Sequence, residues 1–208
     1  MTDKKRAALA VELLEKEYPD AICSLDYTDA FELLIATRLS AQCTDKIVNT
    51  VTPALFSRFP DCYALAKADV NEVEQLIKVC GLYKTKAKDL IEIGKTLSEE
   101  YGGVVPDTIE ELTRLSGVGR KTANLVVGDI YKKPAVVTDT HFIRICGRLG
   151  FTDTKDAKKV EMRMRALLPP DKSNDFCHRI VLHGRKVCTA RKAYCENCCL
   201  NEICPKKV

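Results

Sequence analysis

The sequence contains no apolar run long enough to cross a bilayer, which excludes a membrane-spanning helix. No hydrophobic segment follows the charged residues 1–6, so no secretory leader is expected and the chain reads as intracellular. Internal repeats and low-complexity stretches are missing, which excludes a repeat array or a disordered tail. No segment sustains period-2 alternation. Only residues 135–138 look β-like, and a sheet-based fold is excluded. Charge of one sign is also scarce. Lys and Arg number 33 against 29 Asp and Glu, and a net charge of +4 is too small to indicate nucleic-acid binding by itself. The position of the charge matters more. Basic residues gather at 155–165, which reads as a solvated face, and at Arg185-Lys186, Arg191-Lys192 and Lys206-Lys207, close to a cysteine-rich end.

What is present is helix after helix. Apolar residues recur at helical spacing over 4–17, 29–40, 85–100, 120–130, 140–149, 154–168 and 175–183. Asp29 with Glu32, Asp69 with Glu72 and Thr108 with Glu111 have capping-box spacing. The Thr108 pair is expected to start a short helix running through Leu115. A helix starting near Thr44 is expected to be kinked or divided by Pro53. The fold class is all-α, with a hinge at Lys132-Lys133-Pro134.

The segment from Leu112 to Asn124 brings a short helix to an abrupt stop and starts another at once. Gly117 and Gly119 bracket Val118, which is suited to plug the gap between the helices. The amides of Gly117, Gly119, Arg120 and the next turn then face outward. A helix amino end of this kind suits one phosphate of a DNA backbone. A lone Gly-x-Gly is an ordinary corner; the full string resembles the helix-hairpin-helix of DNA repair proteins. Lys121 lies in the first turn of the second helix. There the positive dipole end disfavours an ammonium and favours the free amine that Schiff-base chemistry uses.

Asp139, eighteen residues later in Thr138-Asp139-Thr140-His141, is placed to cap the next helix. The same carboxylate can stabilise an oxocarbenium-like transition state or move protons. His141 packs near that cap and is also a candidate DNA contact. Cys188, Cys195, Cys198 and Cys204 form C-x6-C-x2-C-x5-C. Eleven cysteines in an intracellular chain point to a metal rather than to disulfides. Four thiolates at this spacing fit either a structural zinc or a [4Fe–4S] cluster. Arg191 and Lys192 lie inside the loop that such a centre closes, and with Arg185 they make a candidate phosphate-binding knob. Cys199 reads as a non-ligand, and the remaining cysteines as core residues.

The hairpin from Leu115 to Asn124, the Thr138-Asp-Thr-His stretch and the four-cysteine tail, in this order, resemble the endonuclease III family over nearly the whole chain. Leu39-Ser-Ala-Gln-Cys-Thr-Asp45 and Gly81-Leu-Tyr-x-x-Lys-Ala87 match the same family. The resemblance implies a six-helix barrel over 22–133, a [4Fe–4S] domain from 1–21 and 134–208, and a DNA cleft between them. It implies that Lys121 is the nucleophile, Asp139 the catalytic aspartate and the four cysteines the cluster ligands. It also implies that Gln42 and Leu82 fill the gap left by an extruded base. The expected enzyme is a bifunctional glycosylase and abasic-site lyase for oxidised pyrimidines in double-stranded DNA, monomeric and cytoplasmic, of bacterial or archaeal type. A monofunctional relative would dispense with Lys121, and a non-catalytic DNA-binding module would leave both Lys121 and Asp139 unused. Three departures stand out. Ser116 replaces a frequent proline, with a slightly looser hairpin expected; Cys43 replaces a common alanine; Thr138 replaces a frequent valine.

Overall fold

A computed structural model describes residues 1–206, so the Lys207 of the terminal basic pair lies outside the described residues. Among these there are eleven α-helices and no strand, and the all-α expectation holds. They are α1 (Asp3–Glu17), α2 (Ala30–Leu39), α3 (Asp45–Arg58), α4 (Cys62–Ala66), α5 (Val70–Ile77), α6 (Tyr83–Glu100), α7 (Ile109–Leu112), α8 (Arg120–Asp129), α9 (Thr140–Arg148), α10 (Ala157–Leu167) and α11 (Ser173–Lys186). No helix among the described residues is long and apolar enough to cross a membrane. The chain divides into two compact units, Ser24–Tyr131 and Met1–Cys23 with Lys132–Val208.

The unit Ser24–Tyr131 is built around α2. Leu33, Leu34, Ile35, Ala36 and Leu39 are fully buried on every side of that helix, as expected of a central helix. Each such leucine contributes about 1.5–3 kcal/mol by leaving water. α4 lies against α6 at Gly94, where a Cβ would stand 2.8 Å from the Ala66 backbone nitrogen. In the other unit, α11 packs on α9 and α1, with Phe142 and Phe176 edge-to-face at 6.1 Å.

Local chemistry sets the helix starts. Thr2, Asp29, Thr44, Asp61, Asp69, Thr108, Asp139 and Asp156 each accept from a first-turn amide. Thr108 and Glu111 form the reciprocal box, since the Thr108 hydroxyl also donates to Glu111 Oε2 at 2.7 Å. Four sequence expectations need correction. Pro53 lies inside α3 without dividing it; Val51, Thr52 and Leu55 are buried around it, and their packing outweighs one missing N–H. α7 ends at Leu112, three residues early, because the chain must already turn into the hairpin. α4 had no sequence counterpart. The 135–138 stretch is buried but unpaired with any strand: the Ala135 and Val137 amides donate to Ser173 Oγ and Cys177 Sγ on α11.

Candidate functional site

The hairpin joins α7 to α8. Val118 is buried between the helices, and its amide closes a turn onto the Leu115 carbonyl. Gly117 has φ +66°, a left-handed value. A Cβ there would collide with the Arg38 guanidinium and stand 2.8 Å from Asp89 Oδ2. Gly119 is different. It caps α8 with φ −94°, a conformation open to any residue, and a Cβ there would meet nothing within 4 Å. The turn itself therefore does not require glycine at this position. Among the described residues no side chain caps α8, whereas Asp or Thr caps most other helices. Arg120 is half-buried at the same mouth.

Ser116 does not loosen this loop. Its hydroxyl donates to Asp89 Oδ1 at 2.8 Å, while Arg38 Nε donates to Asp89 Oδ2 at 3.0 Å. One carboxylate on α6 thus fastens both α2 and the hairpin, and the expected slackening is corrected. From this geometry Gly117→Ala is expected to lower stability by about 1–3 kcal/mol through backbone strain and overpacking. Gly119→Ala is expected to leave stability within about 0.5 kcal/mol, because it adds an exposed methyl. It should nonetheless weaken DNA binding, because the methyl stands in front of the amides. Urea midpoints and a DNA titration of both variants check the contrast.

Lys121 is the second residue of α8, exposed, and without a hydrogen bond or ion pair among the described residues. Asp139 is the N-cap of α9 in the other unit, half-buried, and its Oδ1 accepts from the Phe142 amide at 2.7 Å. His141, also half-buried, lies against α11 at Gly184, and its Nδ1 is 3.2 Å from Arg144 Nη2. Gln42 and Leu82 are both exposed, and both are non-glycine residues with positive φ, 55° and 47°. Such residues are rare and persist only where surrounding structure holds them.

Cys188, Cys195, Cys198 and Cys204 line one pocket together with Arg148, Val187 and Tyr194. Cys199 does not line it, and burial pushes its thiol up to about 11. Among the described residues no three Cys, His, Asp or Glu side chains converge on a point suited to one metal ion. The four thiols instead surround a volume. Burial pushes the Cys198 and Cys204 thiols up. Nitrogen groups lie against three of the sulfurs. Arg148 Nη1 lies 3.2 Å from Cys188 Sγ, the Lys206 amide 3.4 Å from Cys204 Sγ, and His183 Nε2 3.4 Å from Cys198 Sγ. His183 is buried and held down to about 4 by desolvation, hence neutral, and its Nδ1 meets the Tyr18 hydroxyl at 3.1 Å. The donor set and its surroundings fit an iron–sulfur cluster.

The loop after Cys188 is tightly made. A β-bridge joins Cys188 to Ala193, and Thr189 Oγ1 donates to the Lys192 carbonyl at 2.7 Å. Lys192 Nζ lies 4.8 Å from the Tyr194 ring centroid, and Arg191, Lys192 and Arg185 are exposed. Arg144 Nη2 donates to the Gly184 and Cys188 carbonyls and ties α9 to this loop. Sequence reading passed over Arg144, Arg148 and the Arg38–Asp89 pair, and quoted Lys86 within the Gly81–Ala87 stretch without giving it a role. Of these only Lys86 had a signal: it shares the apolar stripe of Leu90, Ile93 and Leu97.

The model of the HhH-GPD superfamily of base excision DNA repair proteins matches residues 35–170. Endonuclease III of Synechocystis sp. is 46% identical over 203 residues, covering 97% of this chain and 93% of the relative. Endonuclease III of Haemophilus influenzae is 38% identical over 207 residues, covering 100% and 98%. A solved structure of a trapped endonuclease III–DNA covalent intermediate is similar at TM-score 0.92 and 38% identity, covering 99% of this chain and 97% of the other.

Proposed function

Because the chain belongs to the endonuclease III family within the HhH-GPD superfamily of base excision DNA repair proteins, we propose that its DNA glycosylase and abasic-site lyase activity is directed at oxidised pyrimidines, with Lys121 as nucleophile. The observation that carries this reading is the place of Lys121: exposed, in the first turn of a helix whose N-cap is Gly119 of the hairpin, and without a hydrogen bond or ion pair among the described residues.

The target carbon is shielded inside a duplex, so the nucleotide must first be extruded. Gly117, Gly119 and Arg120 hold a backbone phosphate at the hairpin, and Gln42 and Leu82 occupy the space the base leaves. Lys121 Nζ, as the free amine, attacks C1′. The C1′–N bond breaks, and the base departs with the electron pair and takes up a proton. The sugar ring opens to an iminium on Nζ. That iminium draws electrons from C2′, a C2′ proton is lost, and the 3′ phosphate leaves by β-elimination. The Asp139 carboxylate offsets positive charge on the sugar and relays protons. Borohydride trapping tests this directly: wild-type protein should form a covalent adduct with abasic duplex DNA, and an active preparation that forms none sinks the reading.

Cys188, Cys195, Cys198 and Cys204 would hold a [4Fe–4S] cluster. The four-thiol donor set, with Arg148 Nη1 and the Lys206 amide donating to two of the sulfurs, supports this reading. The cluster would supply a rigid post closing the 188–195 loop, so that Arg185, Arg191 and Lys192 meet phosphates in fixed positions. Purified protein should be brown with about four irons per chain, whereas colourless zinc-bearing protein rejects the assignment. Cys198→Ser is expected to lose iron. It should also reduce the slope of log affinity against log salt by about two, as Arg191 and Lys192 disengage. A monomer in the cytoplasm, associated with the nucleoid, completes the proposal.

A further inference from the structure

Helix α6 carries a lysine where its buried stripe calls for a leucine. Lys86 is fully buried on the face shared by Leu90, Ile93 and Leu97. An ammonium in such a place is costly unless its protons are satisfied. Among the described residues Lys86 has no ion pair; instead its Nζ donates to two carbonyls, Leu39 O at 2.8 Å and Cys80 O at 2.6 Å. Each carbonyl ends a helix. Leu39 is the last residue of α2, and Cys80 the last of the 3₁₀ turn Lys78–Cys80 that succeeds α5. Terminal carbonyls have no helical N–H partner and form the negative pole of the helix, so one cation caps two helix ends at once.

Both helix ends lead directly into strained turns. Three residues after Leu39 comes Gln42, and two after Cys80 comes Leu82, both exposed and both with positive φ. The Lys86 amide also donates to the Leu82 carbonyl at 3.0 Å. Both turns are therefore anchored to the same residue.

We propose that Lys86 is a positioning residue for lesion extrusion: by joining the Leu39 and Cys80 carbonyls it fixes the Gln42 and Leu82 turns at one spacing, so that both side chains enter the duplex together. This rests on the reading of Gln42 and Leu82 as the residues that fill the vacated space. Lys86 is fully buried in the protein. Its effect is preorganisation, since two wedges already aligned need no ordering on binding. The step it serves is opening of the stack. Chemistry on a nucleotide that is already unpaired does not depend on it.

The test compares two substrates. With Lys86→Met, single-turnover excision of an oxidised thymine paired with adenine in duplex DNA should fall about ten- to hundredfold. Borohydride trapping on a single-stranded abasic oligonucleotide should stay within about twofold, as for a remote substitution that leaves the reacting groups in place. The fluorescence rise of a 2-aminopurine placed opposite the lesion, which reports wedge entry, should be lost. Parallel losses on both substrates, or undiminished duplex excision, overturn the proposal. Lys86→Gln, which keeps one donor, guards against a variant that does not fold. In a Leu82→Ala background its extra cost should vanish, and additive costs count against it. Wild-type protein that traps no abasic DNA overturns the assignment of Lys121 and this proposal with it. Trapping by the wild type with parallel losses in the variants overturns this proposal alone.

Discussion

Replacing Lys121 by alanine is expected to abolish borohydride crosslinking to abasic DNA and to lower strand cleavage by about 10⁴-fold or more, the scale of removing a nucleophile. The fold should not suffer. Lys121 is exposed and unpaired, and such surface positions change stability by about 0.5 kcal/mol or less. Its position in the first turn of α8 even sets its charge against the helix dipole, so alanine there relieves a small repulsion. Lys121→Arg sharpens the point. Arginine keeps the cation but cannot yield a free amine, so DNA binding should persist while trapping disappears. Trapping gels, DNA titrations and melting curves on the same preparations check all three statements. An adduct that survives in Lys121→Ala at the wild-type level would place the nucleophile elsewhere.

The second large effect concerns Asp139, whose observed cap and proposed catalytic role substitution can separate. Its Oδ1 caps α9 through the Phe142 amide, and asparagine caps as well as aspartate does. Asp139→Asn should therefore leave the melting temperature almost unchanged while base release falls about 10²–10³-fold, the scale of losing one electrostatic stabiliser. Asp139→Ala should add a stability loss of about 1 kcal/mol from the missing cap. On a preformed abasic site the asparagine variant should recover much of its trapping, because the base has already left. If the aspartate were only a cap, the asparagine variant would keep full glycosylase activity, and that result would falsify the catalytic role.

Much of the hairpin is legible in the sequence because glycine positions, flanking leucines and the lysine after them are local signals. The helices are legible for the same reason: Asp29, Asp69 and Thr108 are caps written within three residues of what they cap. What escapes is long-range. Asp89 belongs to α6, yet its partners Arg38 and Ser116 lie 51 and 27 residues away, and no spacing rule joins them. Ser116 reads as a weakening because proline rigidity is local, whereas its hydrogen bond is tertiary. α4 escapes because five residues are too few to show a period. Gly119 reads as a turn requirement, although its φ makes no such demand. The cysteine spacing leaves zinc and iron–sulfur open. That the four thiols line one pocket is a property of the folded chain alone.

One of the two units is discontinuous along the chain, and that sets an order on biosynthesis. Ser24–Tyr131 is a single stretch and can close as soon as it clears the ribosome. α1, although made first, packs on α10 and α11, which are translated last. It must wait through more than a hundred residues of synthesis with Ala7, Ala10, Val11 and Leu14 uncovered. Closure over so long a separation is slow relative to local folding. The nascent chain therefore passes through a state in which the hairpin with Lys121 is complete while the four cysteines have yet to gather. Chaperone protection during translation should concentrate on the first twenty residues, and iron delivery should be the last event of maturation.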